Sequence, residues 1–360
     1  MNAVTTAISA IRAGRMIIVT DDADREAEGD LVMAASHCTA KNMAFIIRNS
    51  CGIVCAPLST DLASRLDLAP MVARNDAPLG TAFTVTVDCV HGLTTGISAG
   101  QRSNTVRALA DPDMGPRDFV RPGHVFPLIA RDGGVLVRAG HTEAAVDLCQ
   151  LAGLPPVGVI CELANDDGTV MKGAQIRAFA AREALPVVSV DELICWRREN
   201  ELLVTRSEPF SCNSMIGPVT GYAFSTPFDP VRQFAFVHGD ISDGQGVPIR
   251  IHRSSVVADV ILGDTSLHQS LHEIRQLGRG VLIYLRDETG GIRLASQDRQ
   301  LSASERRRER HWSEIGLATQ ILTSLGISSP LPHTDHGLNN HAGSGGISTG
   351  FAPVEGNCGA

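Results

Sequence analysis

Apolar residues recur at helical spacing in VTTAISAIRAG, residues 4–14, and Gly14 supplies a helix stop. The pattern then switches to a continuous apolar run, RMIIVT (15–20), which reads as a buried strand, and LVMAAS (31–36) reads as another. KNMAFIIRNS (41–50) predicts a helix, GIVCAPL (52–58) and the alternating TAFTVTVDC (81–89) predict strands, and SNTVRALAD (103–111) a helix. GGVLVRAG (133–140) reads as strand, HTEAAVDLCQLAG (141–153) as a helix stopped at Gly153, and PVGVICELAN (156–165) as strand. GAQIRAFAAREA (173–184) is helical in pattern, and VVSVDELICWRREN (187–200) closes the set. Strands and helices in alternation with short Gly/Pro connections predict an α/β or α+β sandwich.

The pattern changes near ENELLVTRSEPFSCNS (199–214), where a domain boundary is expected, at about 200–210. The expected domains are 1–203 and 211–330, with a disordered tail at 331–360 that is rich in Gly, Ser and Asn. In the second, smaller α/β unit FAFVHGDI (234–241), VPIRIHRSSVVADVI (247–261) and GVLIYLRDE (280–288) read as strands. SLHQSLHEIRQLG (266–278) and GLATQILTSLG (316–326) read as helices.

The length of 360 residues agrees with two domains, and 43% hydrophobic residues suffice for a sizeable core. The net charge of −8 and an aromatic content of 4% argue against a nucleic-acid partner. Nine cysteines without a CxxC pair predict reduced thiols and a cytoplasmic protein. No run approaches the ~20 apolar residues that a membrane helix needs.

Six carboxylates (Asp21, Asp22, Asp24, Glu26, Glu28, Asp30) interrupt this apolar pattern within ten positions. A solvated acidic turn is the plainer reading. In extended chain, however, Glu26, Glu28 and Asp30 would share one face, where a hard divalent cation is the simplest way to keep them charged. Arg25 could pair with a carboxylate or hold a phosphate, and Gly29 leaves room for a close approach. RPGHVFPL (121–128) places His124 between Pro122-Gly123 and an apolar segment, GVICELANDDG puts Glu162 at the end of a strand, and LTTGIS (93–98) is a hydroxyl-rich loop around Gly96. In RAGHTEA (138–144), His141 stands at a strand-to-helix junction with Thr142 as its expected N-cap, a place that favours phosphate. Each of these residues alone also fits a structural role.

DREAEGD, LTTGIS, RPGHVFPL, RAGHTEAAVDL and CELANDDGT stand in the order and at the spacing of one family. On these motifs the first 200 residues resemble 3,4-dihydroxy-2-butanone 4-phosphate synthase, an enzyme of riboflavin biosynthesis. The resemblance implies conversion of D-ribulose 5-phosphate into the four-carbon ketose phosphate and formate by a cytoplasmic homodimer using Mg²⁺ or Mn²⁺, with two ions expected. It implies Glu26 and His141 as metal ligands, His124 and Glu162 as catalytic residues, and Arg25, Glu26, Glu28, Asp30, Arg138, Ala139, Gly140, His141, Thr142 and Glu162 as substrate contacts. Cys55 resembles a pocket cysteine of the family, and a buried small apolar residue is an equal reading. Gly100-Gln101-Arg102 departs from the family's Ala-Asp-Arg, so an acid is missing. The acidic loop is expected to close on substrate.

Residues 211–330 resemble GTP cyclohydrolase II through VPIRIH, GRGVLIYLRDE and IGLATQILTSLGI. The resemblance implies a zinc site of three cysteines, yet no cysteine lies between Cys212 and Cys358, so no zinc is expected. Gly290 stands where the family has an arginine and Ile315 where it has a tyrosine. His268 and His272 have metal-binding spacing on a helix but no evident third ligand, and ERRRERH (305–311) reads as a solvated helix face. A degenerate, inactive second domain is expected. The alternatives are a bifunctional enzyme that also hydrolyses GTP, a non-catalytic pathway scaffold or regulator, and a synthase adapted to another sugar phosphate.

Overall fold

The computed structural model describes residues 2–21, 25–226, 229–286 and 316–331. Asp22, Asp24, Gly290, Ile315, the 305–311 run and, apart from Leu331, the tail expected at 331–360 lie outside the described residues. The chain divides into two compact units between Glu199 and Asn200.

In the first unit α1 is Ala3–Arg12, β1 Ile17–Thr20, β2 Gly29–Ala34, α2 Ala40–Arg48, β3 Cys55–Leu58, α3 Thr60–Arg65 and β4 Val87–Cys89. There follow α4 Ala99–Leu109, β5 Phe119–Ile129, α5 His141–Leu151, β6 Gly158–Glu162, α6 Ala174–Glu183, β7 Val187–Ser189 and α7 Val190–Asn200. The strands form a mixed sheet in the order β4-β5-β3-β6-β2-β1-β7. Both faces are covered, which is why the strands read as apolar runs rather than as alternation. Ile18, Leu31, Met33, Val159 and Cys161 pack on one side with Met43, Ile46, Val106 and Phe179 of the helices. The opposite parity, Ile17, Val19, Val32, Ala34 and Ile160, packs with Ala7, Ile11, Ala144, Leu148 and Leu193. The unit is thus an α/β sandwich.

Three local readings change. GGVLVRAG is not a strand: Gly133 and Gly134 adopt φ of 88° and 64°, and Gly134–Leu136 winds into a 3₁₀ turn. Only Val87–Cys89 of TAFTVTVDC is strand, whereas Phe119–Ile129 forms an eleven-residue strand that its internal Pro122 and Gly123 conceal. The N-cap of α5 is Gly140, not Thr142, which is buried within the first turn.

The second unit contains β8 Thr205–Arg206, β9 Phe210–Ser214, β10 Gly217–Thr226, β11 Asp229–His238 and β12 Gln245–Arg253. It continues with α8 Ser266–Gln276, β13 Gly280–Leu285, α9 Leu317–Ser324 and β14 Ser329–Leu331. The sheet order is β14-β12-β13-β11-β10-β8, with β9 also on β10. β8 and the first residue of β9 precede residue 211 and pair within this sheet. The apolar run after Arg253 does not extend the strand, because Ser255 caps a wide helical turn over Val256–Ile261. Leu317, Ile321 and Leu322 of α9 pack with Val247, Val281 and Ile283, and Ile274 of α8 packs with Leu282.

Helix α5 seats on β6 because Gly158 has no side chain: a Cβ there would lie 2.8 Å from the Ala145 Cβ. Gly158→Val is expected to lower the unfolding free energy by about 2 kcal/mol through overpacking, measured as a shift in urea midpoint at unchanged slope.

Candidate metal centre and active site

Asp21 organises the turn between β1 and β2. Its Oδ1 accepts the Glu28 amide at 2.9 Å, and its Oδ2 accepts the Glu26 amide at 3.1 Å and Arg25 Nη1 at 2.7 Å. Arg25 Nη1 also reaches Glu26 Oε2 at 2.5 Å. Burial opposes the charge on Arg25, but Glu26 and Asp21 outweigh it and hold its pKa above the ordinary value. Lys172 Nζ donates to the Glu26 carbonyl at 2.8 Å and lies 3.9 Å from Glu28 Oε1. The chain is therefore curled, with Ala27 at φ 55°, and the expected extended face of Glu26, Glu28 and Asp30 is not formed. Only Asp30 lies in β2. Gly29 admits Ile176 of α6 rather than a ligand, since a Cβ there would stand 2.9 Å from Ile176 Cδ1.

Strand register gathers the remaining groups. Asp30 pairs with Glu162 across β2 and β6, while Cys55 of β3 pairs with both Ile160 of β6 and Phe126 of β5. β3 runs parallel to β5 and antiparallel to β6, so Glu162 and His124, each two residues from a Cys55 partner, fall at one level of the sheet. Paired residues point to the same side. Asp30, Glu162 and His124 thus share one end of the face that α5 covers. Two strand spacings, about 10 Å, separate the backbones of Glu162 and His124.

His141, the first residue of α5, is 7% exposed and meets the acidic turn on this face. Its Nδ1 lies 3.8 Å from Glu26 Oε2 and 4.0 Å from Asp30 Oδ1. These distances are too long for hydrogen bonds. They fall within the separations of two ligands on one octahedral ion with 2.1 Å bonds, about 3 Å for neighbours and about 4.2 Å for opposites. One ligand atom from each of Asp21, Glu26 and His141 lies within 4.8 Å of the others. Asp30 Oδ1 and His141 Nε2 are buried without a hydrogen-bond partner. A cluster of carboxylates and an imidazole, with buried polar atoms left over, fits a divalent cation bound through oxygen and nitrogen.

The electrostatics agree. Burial raises Asp30 well above the carboxylate range, and Glu162 and Glu26 add to the rise. Burial also raises Glu26 against the pull of Arg25, and raises Glu28 with help from Glu26. Burial pushes His141 down to about 4 despite the attraction of Asp21, so its imidazole is neutral and available as a ligand at neutral pH.

His124 Nδ1 pairs with Asp88 Oδ2 at 2.7 Å, and its amide donates to Asp88 Oδ1 at 2.9 Å. Gly96, at φ 83°, passes so close that a Cβ would collide with Asp88 Oδ2 and His124 Nδ1. This places LTTGIS against the histidine. Gln101, the departure from the family's acid, holds that loop: its Oε1 accepts the Gly96 amide at 2.7 Å and its Nε2 donates to Thr94 Oγ1 at 2.6 Å. Arg138 is set by Glu143 at 2.6 Å and Thr81 Oγ1 at 3.1 Å, beside the α5 start. Gly140 is required there, because a Cβ would lie 2.5 Å from Arg138 Nη1. Ala139 and Thr142 are buried on either side of Gly140 and His141. Cys55 is buried, and burial raises its thiol pKa.

Four residues join the site without having been singled out in the sequence. Asp21 was one acid among six. Asp88 closes an alternating strand, where a single acid carries no signal. Glu143 lies in the first turn of α5, where an acid is an ordinary helix-start residue. Cys51, whose Sγ donates to Glu162 Oε2 at 2.8 Å, is one cysteine among nine in the sequence.

In the second unit, Ser254 and Ser255 follow the strand behind which the zinc cysteines would stand. His252 Nε2 pairs with Asp259 Oδ2 at 3.1 Å, and its ring stacks on Tyr284 at 5.4 Å. His268 and His272 lie on α8.

Fold and site together define a two-domain α/β protein whose first domain carries a cluster of carboxylates and an imidazole that could hold a divalent cation. The family model for 3,4-dihydroxy-2-butanone 4-phosphate synthase matches residues 5–196, and that for GTP cyclohydrolase II matches residues 206–330. The chain is 43% identical to the bifunctional riboflavin biosynthesis protein RIBA 1, chloroplastic, of Arabidopsis thaliana, over 91% of its own length and 64% of that protein's. It thus spans just under two thirds of that relative. It is also similar to the crystal structure of RibBX, a two-domain 3,4-dihydroxy-2-butanone 4-phosphate synthase from A. baumannii, with 35% identity, a TM-score of 0.72 and coverage of 91% and 92% of the two chains. A 3,4-dihydroxy-2-butanone 4-phosphate synthase in complex with two magnesium ions is 43% identical, with a TM-score of 0.55, over 56% of this chain and 98% of its own. The chain belongs to the 3,4-dihydroxy-2-butanone 4-phosphate synthase family and carries a GTP cyclohydrolase II domain behind the synthase domain. Among the described residues no helix is long and apolar enough to cross a membrane.

A pH signature follows from these shifts. Carboxylates raised in the fold favour the protonated form, so their ionisation removes stability as pH climbs from about 4 through the folded values. His141 acts on the acid side: its lowered pKa removes stability as pH falls from about 6.5 towards 4. A bound cation would offset the repulsion among the carboxylates. Mg²⁺ or Mn²⁺ at a hundred times its Kd is expected to add about 2.7 kcal/mol of stability at pH 7.5 over protein in EDTA. The gain disappears at pH 4 and in Glu26→Gln, as read by urea unfolding.

Proposed function

We propose that the first domain converts D-ribulose 5-phosphate to L-3,4-dihydroxy-2-butanone 4-phosphate and formate in riboflavin biosynthesis, with Mg²⁺ or Mn²⁺, two ions in number, as cofactor. The carrying observation is the convergence of Asp21, Glu26 and His141 to within 4.8 Å of one another, on the sheet face that also bears Asp30, Glu162 and His124. Glu26 and His141 are the assigned ligands, with Asp21 beside them. A divalent cation there supplies positive charge for the oxyanion that develops when a proton leaves the carbon next to a ketone.

The protein's own groups do the rest. Asp88 accepts a hydrogen bond from Nδ1–H of His124 and so leaves Nε2 without a proton, a tautomer assigned from the hydrogen-bond network. Nε2 and the Glu162 carboxylate thus stand on either side of β3 as two proton-transfer groups, which suits a reaction that removes and returns protons several times. Arg138 and the amides at the start of α5 provide the positive end that receives the substrate phosphate. Arg25 fixes Glu26 through its Nη1, and Lys172 reaches Glu28 from the other side. The enzyme works as a cytoplasmic homodimer on this reading.

The second domain does not hydrolyse GTP on this reading. It lacks the thiols of a zinc site, and the buried His252 is committed to Asp259 and Tyr284. Its role is structural or regulatory.

Formate release from ribulose 5-phosphate is the direct assay. EDTA is expected to abolish it and Mg²⁺ to restore it, while Glu26→Gln and His141→Ala lower kcat by at least about a hundredfold, the scale of losing transition-state charge stabilisation. A pure protein that binds ribulose 5-phosphate and metal without releasing formate would show a scaffold instead. Asp88→Asn is expected to lower kcat by about 10²–10³ with KM little changed, through loss of the correct His124 tautomer. GTP with added Zn²⁺ is expected to give no ring-opened product, and turnover at a rate comparable to formate release would establish the bifunctional alternative.

A further inference from the structure

Beside the cation centre lies a second convergence of ligand atoms with different chemistry. Cys51 Sγ is 3.7 Å from Cys161 Sγ and 2.8 Å from Glu162 Oε2, and one ligand atom from each of the three lies within 4.8 Å of the others. The backbone fixes the cluster: the Cys51 amide donates to the Glu162 carbonyl at 2.9 Å, and Ser50 bridges to Leu163. Cys161 faces the opposite side of β6 from Ile160, and Ser50 Oγ donates to its sulfur at 2.9 Å. Cys51 is exposed, which gives a solvent route to a pair whose other member is buried.

We propose that Cys51, Cys161 and Glu162 form a binding site for a thiophilic cation of the zinc class, and that its occupation withdraws Glu162 from the synthase reaction. The inhibitory part rests on the role given to Glu162 above; the binding part does not.

Geometry selects this class of ligand. Two thiolates on one tetrahedral ion with 2.3 Å bonds lie about 3.8 Å apart, the spacing already present. A carboxylate oxygen on the same ion would lie about 3.5 Å from each sulfur, so the Glu162 head moves back from Cys51 by less than an ångström. Water completes the fourth position from the exposed side. Mg²⁺ and Mn²⁺ do not compete, because thiolates are too soft for them. The hydrogen bond between the two thiols lowers Cys51, whereas that same contact and burial push Cys161 far up, so Cys51 loses its proton first, the cation has to displace the proton of Cys161, and binding releases protons. An occupied site holds Glu162 by one oxygen and neutralises the charge that a general base needs.

The experiment uses the full chain with Cd²⁺ as the spectroscopic probe and Zn²⁺ as the inhibitor, both in excess Mg²⁺. The expected result is an ultraviolet thiolate-to-Cd²⁺ charge-transfer band that saturates at one ion per chain and is lost in Cys51→Ser and in Cys161→Ser. Cys51→Ser retains a hydroxyl donor to Glu162, so folding and Glu162 position are preserved. Zn²⁺ is expected to inhibit formate release from the unaltered protein, and the half-inhibiting concentration rises at least tenfold in Cys51→Ser, each protein being compared with its own uninhibited rate. A saturating band without inhibition would uphold the site but overturn the role of Glu162. No band, or a band unaltered in both variants, overturns the site. Loss of two hydrogens across Cys51 and Cys161 on peroxide treatment, without metal binding, would overturn it in favour of a disulfide pair.

Discussion

Everything at the first domain's site depends on holding several anionic groups and a neutral imidazole together in a place largely shielded from water. Asp30 is buried with an unpartnered oxygen, Glu26 and Glu28 are raised by burial, and His141 is pushed down to about 4. Burial without pairing costs several kcal/mol per ion. Arg25 offsets part of this by bridging Asp21 and Glu26, while Asp30 Oδ1 and His141 Nε2 are left without a hydrogen-bond partner. The imbalance is a property of the folded chain, and a small cation with high charge density would correct it.

The sheet is what makes such a cluster possible from distant parts of the chain. Strand pairing sets Asp30 against Glu162, and Cys55 keys β5 and β6 to a common level. Glycines then remove the obstacles: Gly158 seats the helix that begins with His141, Gly96 lets a loop cross the His124–Asp88 pair, and Gly140 clears Arg138. Gln101 illustrates how a departure from the family pattern is absorbed. Its amide bonds the backbone and a hydroxyl of the loop it supports, a job that a carboxylate could do only in part because it has no N–H to donate.

Much of this was legible in the sequence. The buried runs 15–20 and 31–36 and the helices at 4–14, 141–153 and 173–184 follow from their periodicity, because tertiary packing and local pattern agree there. GGVLVRAG misleads because two left-handed glycines override an apolar run. The strand at 119–129 is hidden because Pro122 and Gly123 look like a break. Side-chain partners were harder to read. Asp88 acts by meeting His124 across the fold, a contact that no spacing rule reports, and Glu143 meets Arg138 locally because the chain turns into α5 at Gly140. The curling of the acidic turn was equally invisible, since it comes from one carboxylate, Asp21, accepting two backbone amides. In the second domain the lack of any cysteine between Cys212 and Cys358 could be read directly, whereas the pairing of His252 with Asp259 is a contact made by the fold.

The central claim is that Asp21, Glu26 and His141 surround a divalent cation. The most direct measurement is anomalous diffraction at the manganese edge from crystals of the full chain grown with Mn²⁺. The account predicts a strong peak about 2.1 Å from a Glu26 oxygen and from a His141 ring nitrogen, close to the bond lengths of small hard cations. Strong manganese peaks found only elsewhere, with His141 still facing Glu26 across a metal-free gap, would contradict it.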